Sequence, residues 1–256
     1  MSIILNERRA AEEVLAGREL GRSPTEALIH VAKYYFSEGM KKKDVRNRLE
    51  AFLLQCDPGA SVVLWSDKLD YVVKYASKYP LVQIDGVPIT AAELSAIREI
   101  KEAQAARLAF TLLCAAKYWD LVNPANDHWV NEKDTDLMRM ANIRTSVRRQ
   151  SKMYTDLRDA GLIRFSVRVD NLNVQVLFAD GDGPAEFFVS DYRNLGNQYL
   201  KYTGKPYISC ARCGLTVKGH EGPGKPKKYC DACAAKMKLE QSVNSVMRMR
   251  TAGGKG

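Results

Sequence analysis

The sequence predicts a mainly α protein with small β elements, and three features of its 256 residues support that prediction. Apolar side chains recur at helical spacing through most of the chain, whereas strand-like alternation is confined to short runs. Two short cysteine pairs lie near the C-terminus, in a stretch too rich in Gly, Pro and Lys to bury a core. We therefore expect a helical N-terminal domain over residues 1–80, a second domain over 90–180, a connector over 181–205 and a metal-held segment with a basic helix over 206–250.

The N-terminal domain is expected to consist of helices that Gly and Pro separate. Gly21 ends a first helix, and Ser23 and Pro24 supply the N-cap and the first position of the next. After that first helix, the helical periodicity predicts three further helices, over 25–38, 41–55 and 66–77. An extended piece follows over 81–89.

Thr90 and Glu93 have the spacing of a capping box, in which each residue satisfies a backbone N–H of the other. They predict the start of one long helix over 91–119. Its C-terminal half is apolar nearly all round, which favours a central core helix.

Residues 134–178 are predicted to form helices and strands in the order found in a winged helix-turn-helix. The periodicities predict a short helix over 134–140, a turn over 141–143, a longer helix over 144–160 and strands over 164–169 and 173–178. The core side of the longer helix is predicted to hold Val147, Met153, Tyr154 and Leu157. In this fold the second helix enters the major groove of DNA and the hairpin touches the adjacent backbone.

Charge supports that interpretation, because residues 144–168 contain seven Arg and Lys against two Asp. Such side chains neutralise phosphate or bridge guanine, and Ser or Thr can donate to phosphate. The candidate nucleic-acid contacts here are Arg144, Thr145, Ser146, Arg148, Arg149, Lys152, Arg164 and Arg168. A winged helix that serves only protein packing remains the alternative.

The net charge of +9 is concentrated at the C-terminus. Residues 1–200 hold 27 basic and 27 acidic side chains, whereas residues 201–256 hold 12 and 3. A basic segment on a neutral body is typical of a phosphate-binding arm, although a merely solvated tail is the other possibility. We expect phosphate contacts from Lys225, Lys227 and Lys228.

Cys210 and Cys213 form one Cys-x-x-Cys pair. Cys230 and Cys233 form a second pair, and sixteen residues lie between the two pairs. This doubled spacing predicts a four-thiolate, structural Zn²⁺ site in a zinc ribbon, with no open position for catalysis. Gly214 stands where such a turn often needs positive φ. Redox pairs or free thiols are the alternatives, and His220 in the loop could replace a thiolate.

Several functional classes are disfavoured by the sequence. No apolar run is long enough to cross a membrane, and the N-terminus lacks the core of a signal peptide. With four cysteines assigned to metal and the other two in helical stretches, the usage fits a reducing, cytoplasmic setting. We expect no enzyme, because no nucleotide-binding, hydrolase or metalloprotease motif is present. A homodimer through the helix over 91–119 or that over 234–250 is possible.

Three segments resemble uncharacterised phage and prophage proteins of Gram-positive bacteria: FTLLCAAKYW at 110–119, RNLG at 193–196 and KYCDACA at 228–234. The resemblance implies a mobile-element setting in a bacterial host cytoplasm and binding of nucleic acid, but no activity. Residues 31–46 resemble, more faintly, a small helical module of phage replication and primase proteins.

Two functions follow as hypotheses. The first is a zinc-containing DNA-binding protein, regulatory or replication-associated, whose partner is double-stranded DNA. The second is a protein-interaction factor, such as an inhibitor of a CRISPR-type host defence complex. RNA in place of DNA is not excluded.

Overall fold

A computed structural model describes residues 3–167, 173–181, 183–220, 222 and 224–253. The predicted class is confirmed: the protein is mainly helical, at 54% helix, with small antiparallel sheets. The chain divides into two compact units, Met1–Val87 and Pro88–Gly256. Arg168 and the predicted tip of the hairpin lie outside the described residues.

The first unit contains four helices, in chain order α1 (Glu7–Gly17), α2 (Pro24–Ser37), α3 (Lys42–Cys56) and α4 (Val62–Ala76). Pro24 occupies the first turn of α2, as predicted, although the Ser23 hydroxyl makes no capping hydrogen bond. Helix α2 packs against the other three. The shared core contains Leu28, Leu49, Phe52, Leu69 and Val72.

A buried ion pair joins α1 to α2 in this unit. The Glu7 carboxylate accepts two hydrogen bonds from Lys33 Nζ, at 2.7 and 2.9 Å, and one from the backbone N–H of Val82 at 2.7 Å. His30 Nδ1 lies 3.6 Å from the same carboxylate. Burial raises the pKa of Glu7, but the nearby His30 ring and the hydrogen bonds from Lys33 and Val82 outweigh it and lower that pKa overall.

The second unit begins with β1 (Val87–Thr90), α5 (Ala91–Arg98) and α6 (Ala103–Val122). The capping box of Thr90 and Glu93 is confirmed, but the single helix predicted over 91–119 is wrong. Helices α5 and α6 pack against each other, so the chain must turn between them. Glu102 fixes the restart, because its carboxylate accepts a hydrogen bond from Ala105 N at 2.7 Å.

The predicted helices and strands of the central segment are present with shifted bounds. After α6 come β2 (Trp129–Val130), α7 (Asp134–Met140), α8 (Val147–Asp159), β3 (Ile163–Phe165) and β4 (Val174–Val176). The three strands form one antiparallel sheet in the order β2-β4-β3. Helix α8 packs on α6 and on β3.

Two details of α8 correct the sequence prediction. The helix begins at Val147 rather than at residue 144, because Ser146 is its N-cap and its hydroxyl accepts from Arg149 N at 3.4 Å. Arg144 and Thr145 therefore lie in the preceding turn, where Asn142 has a φ of 51°. Val147, predicted to face the core, is 76% exposed, whereas Met153, Tyr154 and Leu157 are buried as predicted.

The remaining elements of the second unit follow β4 along the chain. Strand β5 (Ala185–Val189) pairs with β1, and α9 (Leu195–Tyr202) packs on α6. The hairpin of β6 (Tyr207–Ser209) and β7 (Thr216–Lys218) packs on α9. The last helix, α10, runs over Asp231–Gly253 and starts three residues earlier than predicted.

Candidate metal centre and basic surface

The four cysteines are presented by two backbone turns. Cys210 and Cys213 lie in the β6–β7 turn, where Gly214 N donates to Cys210 O at 2.9 Å. The expected positive φ of Gly214 is confirmed, at 74°. Cys230 and Cys233 stand at the start of α10, and a backbone hydrogen bond from Ala211 to Lys228 O at 2.9 Å closes one turn over the other.

The sulfur geometry fits a single tetrahedral ion. The four Sγ atoms all lie within 4.8 Å of one another, and those of Cys213 and Cys230 are 3.8 Å apart. A Zn–S bond of about 2.3 Å requires sulfurs about 3.8 Å apart at the corners of a tetrahedron. His220 is exposed and does not belong to this group of ligand atoms. The four cysteines therefore form a possible metal site.

The pKa values of two of these thiols are shifted in opposite directions. Burial raises the pKa of Cys210, but backbone N–H groups of Cys230, Cys213 and Arg212 outweigh it and lower the pKa to about 6. The hydrogen bond of Cys233 with the Cys230 sulfur, together with burial, raises the pKa of Cys233 to about 12. A cation bound among the four sulfurs would favour their thiolate forms, so metal binding at this site would be coupled to loss of thiol protons.

Two polar side chains before the cysteines hold this centre to the body of the second unit, and the sequence analysis missed both. The Arg193 guanidinium donates to Cys213 O at 2.7 Å and is oriented by Asp191. Buried Asn197 donates through Nδ2 to Thr216 O at 3.0 Å and accepts from Asn142 Nδ2 at 2.9 Å. The RNLG segment of the resemblance includes Arg193, whereas Asn197 lies outside it and makes contacts that join distant parts of the chain.

The predicted nucleic-acid residues of α8 lie on one exposed surface but differ in their partners. Arg149 pairs with Glu102 at 3.0 Å, and Lys152 pairs with Asp156 at 2.8 Å. Arg148 is exposed and makes no ion pair within the described part of the chain. Together these side chains line a groove of about 520 Å³ beside the start of α6.

The remaining predicted contacts are placed as follows. Arg144 and Ser146 are exposed in the turn before α8, and Thr145 is half-buried, with its carbonyl accepting from Gln150 at 3.2 Å. Arg164 is exposed on β3 and lies over the Trp129 ring at 5.8 Å. Lys225 and Lys228 are exposed in the ribbon loop, whereas Lys227 pairs with Asp231 at 2.8 Å.

Acidic residues that could suggest a catalytic metal have structural partners instead. The Tyr154 hydroxyl donates to Asp134 at 3.1 Å, which ties α8 to the first turn of α7. Burial raises the pKa of Tyr154 far above its ordinary range, so this hydroxyl stays a donor. Asp136 pairs with Arg139 at 2.7 Å along α7.

Comparison of the chain with protein-family models, with curated proteins and with solved structures yields no match. Among the residues that the structure describes, no helix has both the length and the apolar character needed to cross a membrane. Function is therefore inferred from the geometry of this unit alone.

Proposed function

We propose that the second unit is a zinc-containing, double-stranded DNA-binding module in which residues 103–176 act as a winged helix and α8 is the recognition helix. The observation that carries this proposal is the order α6-β2-α7-α8-β3-β4 with the sheet order β2-β4-β3. That arrangement leaves one face of α8 uncovered, and basic side chains occupy it. A regulatory or replication role in a phage setting would be consistent with the resemblance noted in the sequence.

The metal of this proposal is structural Zn²⁺. Four thiolates at tetrahedral spacing suit zinc and leave no open coordination position, which disfavours a catalytic role. Bound zinc would supply the cross-link between the β6–β7 turn and the start of α10. In the described part of the loop between them, only Leu215, Val217 and Tyr229 pack against the cysteines, and so small an apolar cluster would not replace the metal.

DNA binding is expected to combine two kinds of contact. Cations of α8 and of the ribbon loop would neutralise phosphates, which gives affinity without sequence information. In the described part of the ribbon, Asp231 pairs with Lys227 and Glu240 pairs with Arg212, whereas Lys225 and Lys228 are exposed and form no ion pair, so they would be available for phosphate. Affinity should therefore fall steeply with salt, since each neutralised phosphate releases counterions.

Fluorescence anisotropy of the full-length, zinc-loaded protein with a mixed-sequence duplex at two salt concentrations tests the proposal. We expect salt-sensitive binding that the double variant Arg148→Glu, Arg149→Glu loses by roughly 100-fold or more, because two attractive contacts become repulsive. The matched control is Lys42→Glu, Lys43→Glu. It changes the net charge equally at the exposed N-terminus of α3, where acidic residues suit the helix dipole.

Equal binding by the wild type and the α8 variant would refute the assignment of α8. Absence of binding at low salt would refute the proposal for duplex DNA, and the same titration with single-stranded RNA would then test the other nucleic acid. Circular dichroism of both variants establishes that the fold is unchanged.

A protein-interaction function is the second candidate, and one observation in the first unit favours it. Val63 and Leu64, at the start of α4, are 83% and 82% exposed, although apolar side chains of this size are usually covered. A defence-complex inhibitor would bind its partner with or without the α8 cations. Loss of DNA binding in the α8 variant with no loss of biological activity would support this candidate.

A further inference from the structure

The exposed face of α8 has a composition that phosphate binding alone does not explain. With 3.6 residues per turn, the buried Met153, Tyr154 and Leu157 define the core side. The opposite side is formed by Arg148, Ser151, Lys152 and Thr155. Val147 stands in the first turn at the edge of this side, and its exposed fraction of 76% means that the fold gains almost nothing from it.

A valine in that place has a specific use against DNA. Phosphate is charged and offers a branched apolar side chain no favourable contact. The major groove, by contrast, contains one apolar group, the 5-methyl of thymine, which apolar side chains contact. The first turn of a recognition helix is where side chains reach base edges.

The neighbouring Arg148 is the basic side chain of α8 best placed for bases. Arg149 and Lys152 must leave Glu102 and Asp156 before they can bind anything else. Arg148 gives up no carboxylate in the described part of the chain and carries a planar donor fork that matches guanine O6 and N7.

We infer that Val147 and Arg148 determine sequence specificity, with Val147 against a thymine methyl and Arg148 on a guanine of an adjacent base pair. The other basic side chains of α8 then position the helix on the backbone. This inference rests on the proposed DNA-binding function, and it names its ligand: a B-form duplex that contains neighbouring T and G in the major groove.

The experiment is a selection of the full-length, zinc-loaded protein against a random duplex library, followed by titration of the enriched site with single-atom base analogues. Deoxyuridine removes only the thymine methyl, and 7-deazaguanine removes only N7. We expect each thymine-to-deoxyuridine exchange at the contacted position to weaken wild-type binding about 4-fold, the effect of one buried methyl group. The 7-deazaguanine exchange should weaken it roughly 10-fold.

The variants separate the two contacts. Val147→Ala should bind thymine and deoxyuridine sites equally while keeping its sensitivity to 7-deazaguanine, and Arg148→Met, which has no hydrogen-bond donor, should show the reverse. Ser151→Ala is the matched control on the same face, because its hydroxyl donates to Val147 O at 3.1 Å and is already used within the helix. It should select the wild-type site.

Each outcome has one meaning. Salt-sensitive binding with no enriched sequence, or an enriched site whose analogue effects persist in Val147→Ala and Arg148→Met, overturns the inference while the proposed function stands. Failure of the wild type to bind any duplex at low salt overturns both. All three side chains are exposed, so thermal denaturation should confirm that the variants fold as the wild type does.

Discussion

The closest approach in the second unit lies between α9 and the turn before α8, and it predicts a large effect for Gly196→Ala. A Cβ at Gly196 would lie 1.9 Å from Ala141 O and 2.6 Å from Ala141 C, both backbone atoms. An ordinary C···O contact is about 3.3 Å, so α9 or the turn must move by about 1.4 Å. No flexible side chain can absorb that displacement.

The size of the stability loss in Gly196→Ala follows from the contacts that this movement would disturb. Overpacking against backbone costs about 1–3 kcal/mol. The hydrogen bonds of the buried Asn197, at 2.9 Å to Asn142 and 3.0 Å to Thr216, would be stretched, at about 1 kcal/mol each. Alanine has a greater helix propensity than glycine, and this offsets about 1 kcal/mol of the cost at most. A net loss of about 2–4 kcal/mol should lower the Tm of this unit by about 5–15 °C.

Calorimetry of the zinc-loaded full chain measures the effect, and Gly181→Ala is the control. A Cβ at Gly181 would meet nothing within 4 Å, and its backbone has no positive φ, so that variant should melt within about 1 °C of the wild type. Equal melting temperatures for Gly196→Ala and the wild type would refute the close packing of α9 on Ala141.

Three further predictions concern the metal centre and the two buried ion pairs. Cys230→Ser should lower the zinc content, measured by plasma mass spectrometry, and leave the melting of the first unit unchanged, because no thiolate ligand lies in that unit. The pKa of Glu7 is lowered in the folded state, so its ionised form stabilises the first unit above about pH 4.5, and this contribution is lost as the pH falls through the folded pKa. Glu7→Gln should therefore be less stable at pH 7 and should show a flatter dependence in urea denaturation below pH 4.5; an unchanged slope would contradict this. Lys117→Met should cost about 3–5 kcal/mol, since it leaves the Glu93 carboxylate buried without its cation at 2.7 Å, and adding Glu93→Gln should restore part of that stability in the same assay.

Local signals explain what the sequence predicted well. The capping box of Thr90 and Glu93, the positive φ of Gly214 and the gathering of the four thiols each depend on residues a few positions apart or on a metal-ligand spacing. The alternation that predicted β3 and β4 also located both strands, although β4 is buried on both sides, with Gln175 buried between Val174 and Val176. These features require no knowledge of distant neighbours.

The errors arose where distant contacts decide the structure. No Gly or Pro lies between Arg98 and Ala103, so the helical pattern continues through a break that exists because α5 folds back on α6. Val147 fits the apolar side of α8 by periodicity, yet Ser146 caps the helix and places that side chain in solvent. The bridge from Asn142 to Asn197 spans 55 residues, which no local pattern encodes.

The packing of α9 bears on how the possible metal centre would contribute to the proposed DNA binding. A ribbon on a flexible tether would add its cations through an effective concentration set by linker length. Here the β6–β7 hairpin packs on α9, Asn197 bonds both Thr216 and Asn142, and Arg193 holds Cys213 O. Asn142 belongs to the turn that leads into α8, so the thiol turn and the proposed recognition helix share the hydrogen bonds of the buried Asn197. Because those bonds are satisfied only when both parts are in place, the ribbon would belong to the scaffold that orients α8, and under the proposed function its lysines would meet phosphate from a fixed position rather than as a tail.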